Sequence, residues 1–108
     1  MNKNKNSFRV RCNDEYNEFI FAYTTVWDRR DRREKDITYC LYEDDFAATI
    51  RNPSDSPDTY IGQKNALRKM MSTTNFFIYN KDYRDIVWTR FFAMWGRNER
   101  GEEPCPAE

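Results

Sequence analysis

A run of nine residues without one apolar side chain, DRRDRREKD (Asp28–Asp36), separates two stretches rich in aromatic and β-branched residues. Such a run cannot bury itself in a core. The flanking stretches are EFIFAYTTVW (Glu18–Trp27) and ITYCLY (Ile37–Tyr42). Their residue types suit a pleated strand. The pattern therefore predicts a long antiparallel hairpin with the charged run as its exposed tip.

The charges of this tip have two interpretations. Its five basic residues could contact phosphate: Arg29, Arg30, Arg32, Arg33 and Lys35. Four acidic residues lie among them: Asp28, Asp31, Glu34 and Asp36. Because neighbouring opposite charges neutralise one another, a solvated tip that binds nothing is favoured.

Helical spacing competes with the strand assignment in the first arm of this hairpin. The residues that also fall at helical spacing are Tyr16, Phe19, Ile20, Tyr23 and Trp27. The β-branched and aromatic run TTVW favours a strand, because these side chains lose rotamer freedom in a helix. A helix from Asp14 onward stays open as the alternative.

The rest of the chain predicts two more strands and then helices. Phe8–Cys12 alternates apolar and basic residues, and Phe46–Arg51 follows a Glu-Asp-Asp turn. IGQKNALRKMM (61–71) predicts a first helix with an inward apolar face. A second helix follows, capped by Asn80 or Asp82 and ended by Gly96. FFIY (76–79), between the helices, is either a short strand or an apolar connector.

The expected fold is therefore α+β: an antiparallel meander of three to four strands with a long hairpin, followed by two C-terminal helices packed on one face. A chain of 108 residues suits one domain. We place this domain at 8–97, between a flexible lead-in at 1–7 and a flexible tail at 98–108.

Composition argues against several classes of function. The 18 basic and 18 acidic residues balance, so no strong general field for polyanions is expected. The chain lacks histidine, the commonest general base and metal ligand, and its three cysteines have no zinc-type spacing. We therefore expect no enzyme, no bound metal and no cofactor. The polar start and the absence of a long apolar run indicate a cytoplasmic protein without a membrane segment.

Gly62 and Lys64, near the start of the first helix, form one candidate binding site. A glycine there lets a ligand approach the backbone, and the N–H groups of a first helical turn favour phosphate. Lys64 and Arg68 could add positive charge. The competing interpretation, that Gly62 serves close packing while the cations are solvated, is favoured.

A second candidate site combines rings with cations. Tyr60 and Trp27 could stack a base while Arg51 and Arg90 hold its phosphate. The other rings considered for this cluster are Tyr23, Tyr39 and Tyr42. Aromatic residues at strand or helix spacing usually belong to a core, which is the favoured interpretation here. The acidic triplet Glu43–Asp45 is similarly better explained as a solvated turn than as a metal site.

Several positions from the proline-rich turn onward carry a resemblance. They are Pro53, Asp55, Gly62, Lys64, Ala66, Leu67, Arg68, Arg84, Val87, Trp88, Arg90 and Phe91. Their spacing resembles small accessory proteins of tailed phages, which run as a β-hairpin, a Pro-x-Asp turn, a Gly-Arg-Lys-x-Ala-Leu helix and a last helix with an Ile-Trp pair. Gln63 stands where that pattern has its first basic residue. The layout also looks like the phage proteins that disarm Thoeris immunity by sequestering cyclic ADP-ribose-type signals.

The resemblance implies a phage-encoded, non-catalytic inhibitor of bacterial host defence that acts in the host cytoplasm. Its expected partner is a host defence component, either a cyclic nucleotide signal or an effector protein, and a homo-oligomer is expected. In the first version, a pocket between the first helix and the sheet sequesters the signal. One alternative is an anti-CRISPR-type inhibitor that blocks a Cas effector surface. A small DNA- or RNA-binding accessory protein is possible but not favoured.

Overall fold

Four strands form one antiparallel sheet in the order β1-β2-β3-β4. In the computed structural model, which describes residues 5–12, 14–52 and 58–98, the strands are β1 (Ser7–Cys12), β2 (Glu15–Asp28), β3 (Arg33–Tyr42) and β4 (Asp45–Ile50). Three helices follow: α1 (Thr59–Thr73), α2 (Asn75–Ile78) and α3 (Lys81–Met94). The expected meander followed by helices is confirmed, and the strand assignment of β2 is correct.

The charged tip is shorter than the sequence predicted. Pairing between β2 and β3 continues through Trp27↔Glu34 to Asp28↔Arg33, so only residues 29–32 form the turn. Placing the whole run Asp28–Asp36 outside the strands was wrong, because backbone hydrogen bonds extend the ladder whatever the side chains. Lys35 forms ion pairs with Asp28 and with Asp31, the latter at 3.0 Å, which neutralises charge along the arm.

One face of the sheet carries the core. Alternation places aromatic and small residues of all four strands on this inner face: Phe8, Val10, Phe19, Phe21, Cys40, Tyr42 and Ala47. All of them are buried. The rings of Phe8 and Phe19 stack at 5.1 Å between centroids, and Phe91 of α3 lies 5.8 Å from Phe21. The helices cover this face only.

The helix boundaries follow from local chemistry. The Asp58 carboxylate accepts a hydrogen bond from the Ile61 N–H at 3.1 Å and caps α1. Asn80 occupies the cap position of α3, but its side chain donates to the Phe76 carbonyl instead. Gly96 follows α3 with a positive φ of 70°, the left-handed conformation expected of a C-terminal stop. Residues 76–78 belong to the short helix α2, so the strand alternative for this segment was wrong.

Gln63 is the one buried polar side chain of the described core, with no exposed surface. Its amide nitrogen donates to the Lys5 carbonyl at 2.7 Å and to the Tyr23 hydroxyl. Its amide oxygen accepts from the Trp95 indole N–H at 2.8 Å. One side chain therefore ties the segment before β1, strand β2 and the end of α3 to helix α1.

No helix within the described ranges is long and apolar enough to cross a membrane. The expected Pro-x-Asp turn at Pro53–Asp55, most of the expected tail and the start of the lead-in lie outside the described residues. Residues 8–12, 14–52 and 58–97 contribute to one sheet and the helices on it.

Replacing Gln63 tests this network. Gln63→Met keeps the length of the side chain but leaves the Trp95 N–H without its acceptor. The free energy of unfolding, measured by urea titration, should therefore fall by about 1–3 kcal/mol. Asn65→Met, a similar change at a half-exposed position of the same helix, is the control and should stay within about 0.5 kcal/mol. Equal losses in the two variants would contradict the role of the network.

Candidate binding site between α1 and the sheet

A cavity of about 380 Å³ lies between the first turns of α1 and the hairpin end of the sheet. Residues from β2, β3, β4 and α1 line it: Tyr23, Thr24, Thr25, Asp36, Ile37, Thr38, Thr49, Ile50, Arg51, Asn52, Asp58, Thr59, Ile61, Gly62 and Asn65. The polar part of this lining comes from threonine and tyrosine hydroxyls and asparagine amides, and the apolar part includes Ile61 of α1. Alternation places the side chains of Ile37 and Ile50 on the opposite face of the sheet. The volume falls in the lower part of the roughly 300–1,000 Å³ usual for small-molecule sites.

The floor of the cavity is a fixed polar layer on the inner face. The Arg51 guanidinium donates to the Asp36 carboxylate through Nε at 3.0 Å and Nη2 at 2.8 Å. The Thr25 hydroxyl donates to the same carboxylate at 3.1 Å. These hydrogen bonds, that of Arg51 first, hold the pKa of Asp36 below its ordinary value of 3.8. Asp36 therefore remains an acceptor at neutral pH.

The wall of the cavity is set by the close approach of α1 to β3 at Gly62. A methyl group at this position would lie 2.7 Å from the Thr38 hydroxyl oxygen, which is too near for an ordinary contact. Glycine is therefore needed for packing here, as the favoured interpretation held. Gly62 also lines the cavity.

The charges around the cavity disfavour a phosphate inside it. Two carboxylates, Asp36 and Asp58, face one guanidinium, Arg51, and that guanidinium is already bonded to Asp36. At the helix N-terminus, the Asp58 side chain and carbonyl accept from the N–H groups of Ile61 and Gly62. The start of α1, considered as a phosphate site but not favoured, therefore has N–H groups already bonded by the helix's own cap. An uncharged polar group fits the interior better.

Of the seven predicted site residues, the structure brings only Gly62 and Arg51 into this cavity. Tyr60 is buried in the core, where its ring stacks on Phe91 at 5.7 Å between centroids. The Lys64 ammonium lies 5.8 Å from the centre of that same ring, beside the core. These two residues therefore do not line the cavity.

The remaining predicted residues lie apart. Arg68 is exposed on α1, one turn after Asn65, and its Nη1 is 3.5 Å from the side-chain oxygen of Asn65, which lines the cavity. Arg90 donates to the Arg9 carbonyl at 3.3 Å, on the far edge of the sheet. Trp27 is 62% exposed on the projecting hairpin arm. Arg68 therefore contacts a residue of the cavity lining, although it does not line the cavity itself.

The aromatic cluster proposed as a base-stacking site is not assembled. Tyr42 is buried against Phe19 at 4.6 Å between ring centroids, whereas Tyr39 follows the opposite face of the strand. The core interpretation is correct for Tyr42 and Tyr60. Only Tyr23 lines the cavity, and it is held there by hydrogen bonds with Gln63 and Asn6.

Threonines are the site residues that sequence reasoning missed. Thr25, Thr38 and Thr49 point to the inner face from three different strands. Their inward neighbours on the core side are Tyr23, Cys40 and Ala47, respectively. Alternation assigns these hydroxyls to a face, but it does not show how far the helices cover that face, so the sequence contained no signal for them. Asp36 was missed because it was assigned to the solvated tip.

Other reactive groups of the described chain stand outside this site. Burial raises the pKa of the Cys40 thiol to about 12, so it stays protonated at neutral pH. Glu43, Asp44 and Asp45 are exposed around the β3–β4 turn, as the turn interpretation expected. Within residues 5–12, 14–52 and 58–98, no group of three acidic or cysteine side chains is placed to hold a metal ion.

Comparison with protein-family models, with curated proteins and with solved structures found no match for this chain. The geometry of the site itself must therefore carry any functional argument.

A double-mutant cycle tests the contact between α1 and β3. Gly62→Ala should lower the free energy of unfolding, because its methyl group overlaps the Thr38 hydroxyl. In a Thr38→Ala background the same change should instead raise it, by up to about 1 kcal/mol, because alanine favours a helix. Chemical denaturation measures both. The same sign in the two backgrounds would show that the overlap does not govern packing.

Acid should weaken the fold through Asp36. Because its pKa is lowered in the folded state, its contribution is present above the ordinary value of 3.8 and is lost as pH falls through the lower, folded value. The thermal unfolding midpoint of the wild type should therefore decrease as the pH is lowered from about 5 to about 2. The midpoint of Asp36→Asn should decrease less steeply over the same pH range. Asp44→Asn, in the exposed turn, is the control, and its thermal midpoint should decrease with pH as that of the wild type does. If the thermal midpoint of Asp36→Asn depended on pH as steeply as that of the wild type, this account would be contradicted.

Proposed function

We propose that the protein acts by binding a small ligand of the nucleoside class in the cavity between α1 and the sheet. The observation that carries this proposal is the composition of the cavity: about 380 Å³, lined by threonine hydroxyls, asparagine amides and, on the α1 side, Ile61. Apolar walls with a few fixed polar groups are the usual surroundings of a bound ring system. The hydroxyls and the carboxylate of Asp36 suit ribose hydroxyls and base edges.

Charge decides how a nucleotide would lie. The interior carries two carboxylates against one guanidinium, so the phosphates of a nucleotide should remain outside. Arg68, in contact with the lining residue Asn65, is the cation placed to meet them at the mouth. A cyclic nucleotide signal therefore fits with its nucleoside part inside and its phosphates at Arg68. Sequestration of such a signal by a phage inhibitor of host defence is the biological role we propose.

A protein-binding inhibitor of the anti-CRISPR type is the second candidate, because the face of the sheet opposite the helices is exposed and apolar. The two candidates make different demands. A sequestering protein needs the cavity, whereas a protein that blocks an effector needs a broad surface and is indifferent to the threonines.

Calorimetric titration with adenosine, cyclic ADP-ribose and inorganic phosphate tests the proposal. Adenosine and cyclic ADP-ribose should bind, and phosphate should neither bind nor compete. Thr49→Val removes one hydroxyl and should weaken both ligands about five- to tenfold, the equivalent of one hydrogen bond of about 1 kcal/mol. Thr89→Val, an exposed threonine of α3, is the matched control and should bind as the wild type does.

Arg68→Ala separates the two parts of the ligand. It should weaken cyclic ADP-ribose and leave adenosine unchanged, because only the former carries phosphates to the mouth. The proposal fails if neither nucleoside compound binds and if mass spectrometry finds no nucleotide in protein purified from bacteria with an active nucleotide-signalling defence.

A further inference from the structure

The face of the sheet opposite the helices is a continuous apolar surface, which we call the outer face. Two cross-strand rows form its centre: Ile20–Leu41–Phe46 and Ala22–Tyr39–Ala48. Phe46 is 65% exposed and Ile20 43%. The helices of the described chain pack on the inner face, so they leave these rows uncovered. Apolar patches of this extent on a small protein usually mark an interface.

Both edges of the sheet are protected against strand addition. On β4, the Lys69 ammonium donates to the Ala48 carbonyl at 3.1 Å. On β1, Arg90 donates to the Arg9 carbonyl. A cation from a helix thus occupies an outward carbonyl on each edge, which is a common way of blunting an edge strand. A partner is therefore expected on the face of the sheet rather than along its edges.

The area of the outer face suits a second sheet. With a rise of about 3.4 Å per residue and a strand spacing of about 4.8 Å, strands of 6, 14, 10 and 6 residues present roughly 600 Å² in projection. Two such faces together cover roughly 1,200 Å², the lower limit for a stable interface, before the corrugation of side chains is counted.

The ends of the outer face carry opposite charges. At the hairpin end, residues 28–35 carry five basic and three acidic side chains, a net positive charge. At the other end of β3 stands the acidic turn with Glu43 and Asp44. A copy whose strands run in the opposite direction would set its basic end over this acidic turn. The surface is therefore complementary to itself.

We propose that two copies of the chain pack outer face to outer face, related by a two-fold axis along the Ala22–Tyr39–Ala48 row. The small side chains of Ala22 and Ala48 let the sheets approach to the roughly 10 Å of packed sheets. The Ile20–Leu41–Phe46 row of one copy then meets the Thr24–Ile37–Ile50 row of the other. This arrangement goes beyond the proposed ligand and does not depend on it.

Sedimentation equilibrium over a range of concentrations tests the dimer. The wild type should be dimeric, and Ile20→Lys should weaken association by about 100-fold or more, because it buries a charge in both copies. Ile86→Lys, on exposed α3, is the matched control: Ile86 is 39% exposed, close to the value for Ile20, and its replacement should leave the dimer intact. Circular dichroism verifies that both variants are folded.

A charge exchange tests the strand direction. Asp44→Lys and Arg33→Glu should each weaken the dimer, and the double variant should recover it, because the two residues face each other across the interface. A wild type that is monomeric at all concentrations, or a dimer unaffected by Ile20→Lys, overturns the proposal. If the two substitutions together weaken the dimer by the combined effect of the single substitutions, the antiparallel arrangement is overturned. Binding of a different protein by the outer face of a monomer would also contradict it.

Discussion

The structure depends on one geometric limit: its helices can cover only one face of the sheet, and not all of that face. A helix rises about 1.5 Å per residue, so α1 and α3, of 15 and 14 residues, each span roughly 20 Å. The paired part of the β2–β3 hairpin contains ten residues on each strand and spans roughly 34 Å. The hairpin therefore extends beyond the helical layer, and the opposite face lies outside it altogether.

The inward side chains of β2 change from aromatic to polar where the helices no longer cover the sheet. Phe19 and Phe21 are buried beneath the helices, Tyr23 is half-exposed with a hydroxyl bonded to Gln63, and Thr25 bonds to Asp36. Buried polar groups require partners, so this transition from rings to hydroxyls follows the loss of apolar cover. The cavity lies at that transition. Its polarity is thus a consequence of the same limit that leaves the hairpin arm exposed.

Gly62 and Gln63 show why neighbouring residues in a helix can serve different purposes. Gly62 brings the backbone of α1 against Thr38, and the next residue turns inward to bond β2 and α3. The close approach allowed by the glycine carries the glutamine amide into a region that would otherwise be apolar. The resemblance to a Gly-Arg-Lys motif pointed to positive charge at this position, whereas the neutral amide makes the helix part of the core network.

Much of the fold followed from local chemistry. Alternation, β-branched residues and turn residues identified the strands, and Gly96 ended α3 where the sequence indicated, because these properties depend on a few neighbouring residues. The hairpin tip was misjudged because the extent of a ladder depends on the partner strand. Among the site residues, Gly62 and Arg51 were identified from residue type alone. The threonines and Asp36 were not, because nothing local distinguishes an inward hydroxyl under a helix from one in solvent.

The sequence by itself determined the order of strands and helices and which side chains share a face, since both follow from periodicity along the chain. Only the tertiary structure decided that Tyr60 is buried in the core with Lys64 beside it, that Arg90 contacts the edge strand β1, and that Arg51 meets Asp36 beneath α1. The physical reason is that these contacts join residues from different elements. Their distances are set by how the helices lie on the sheet, which no local pattern encodes.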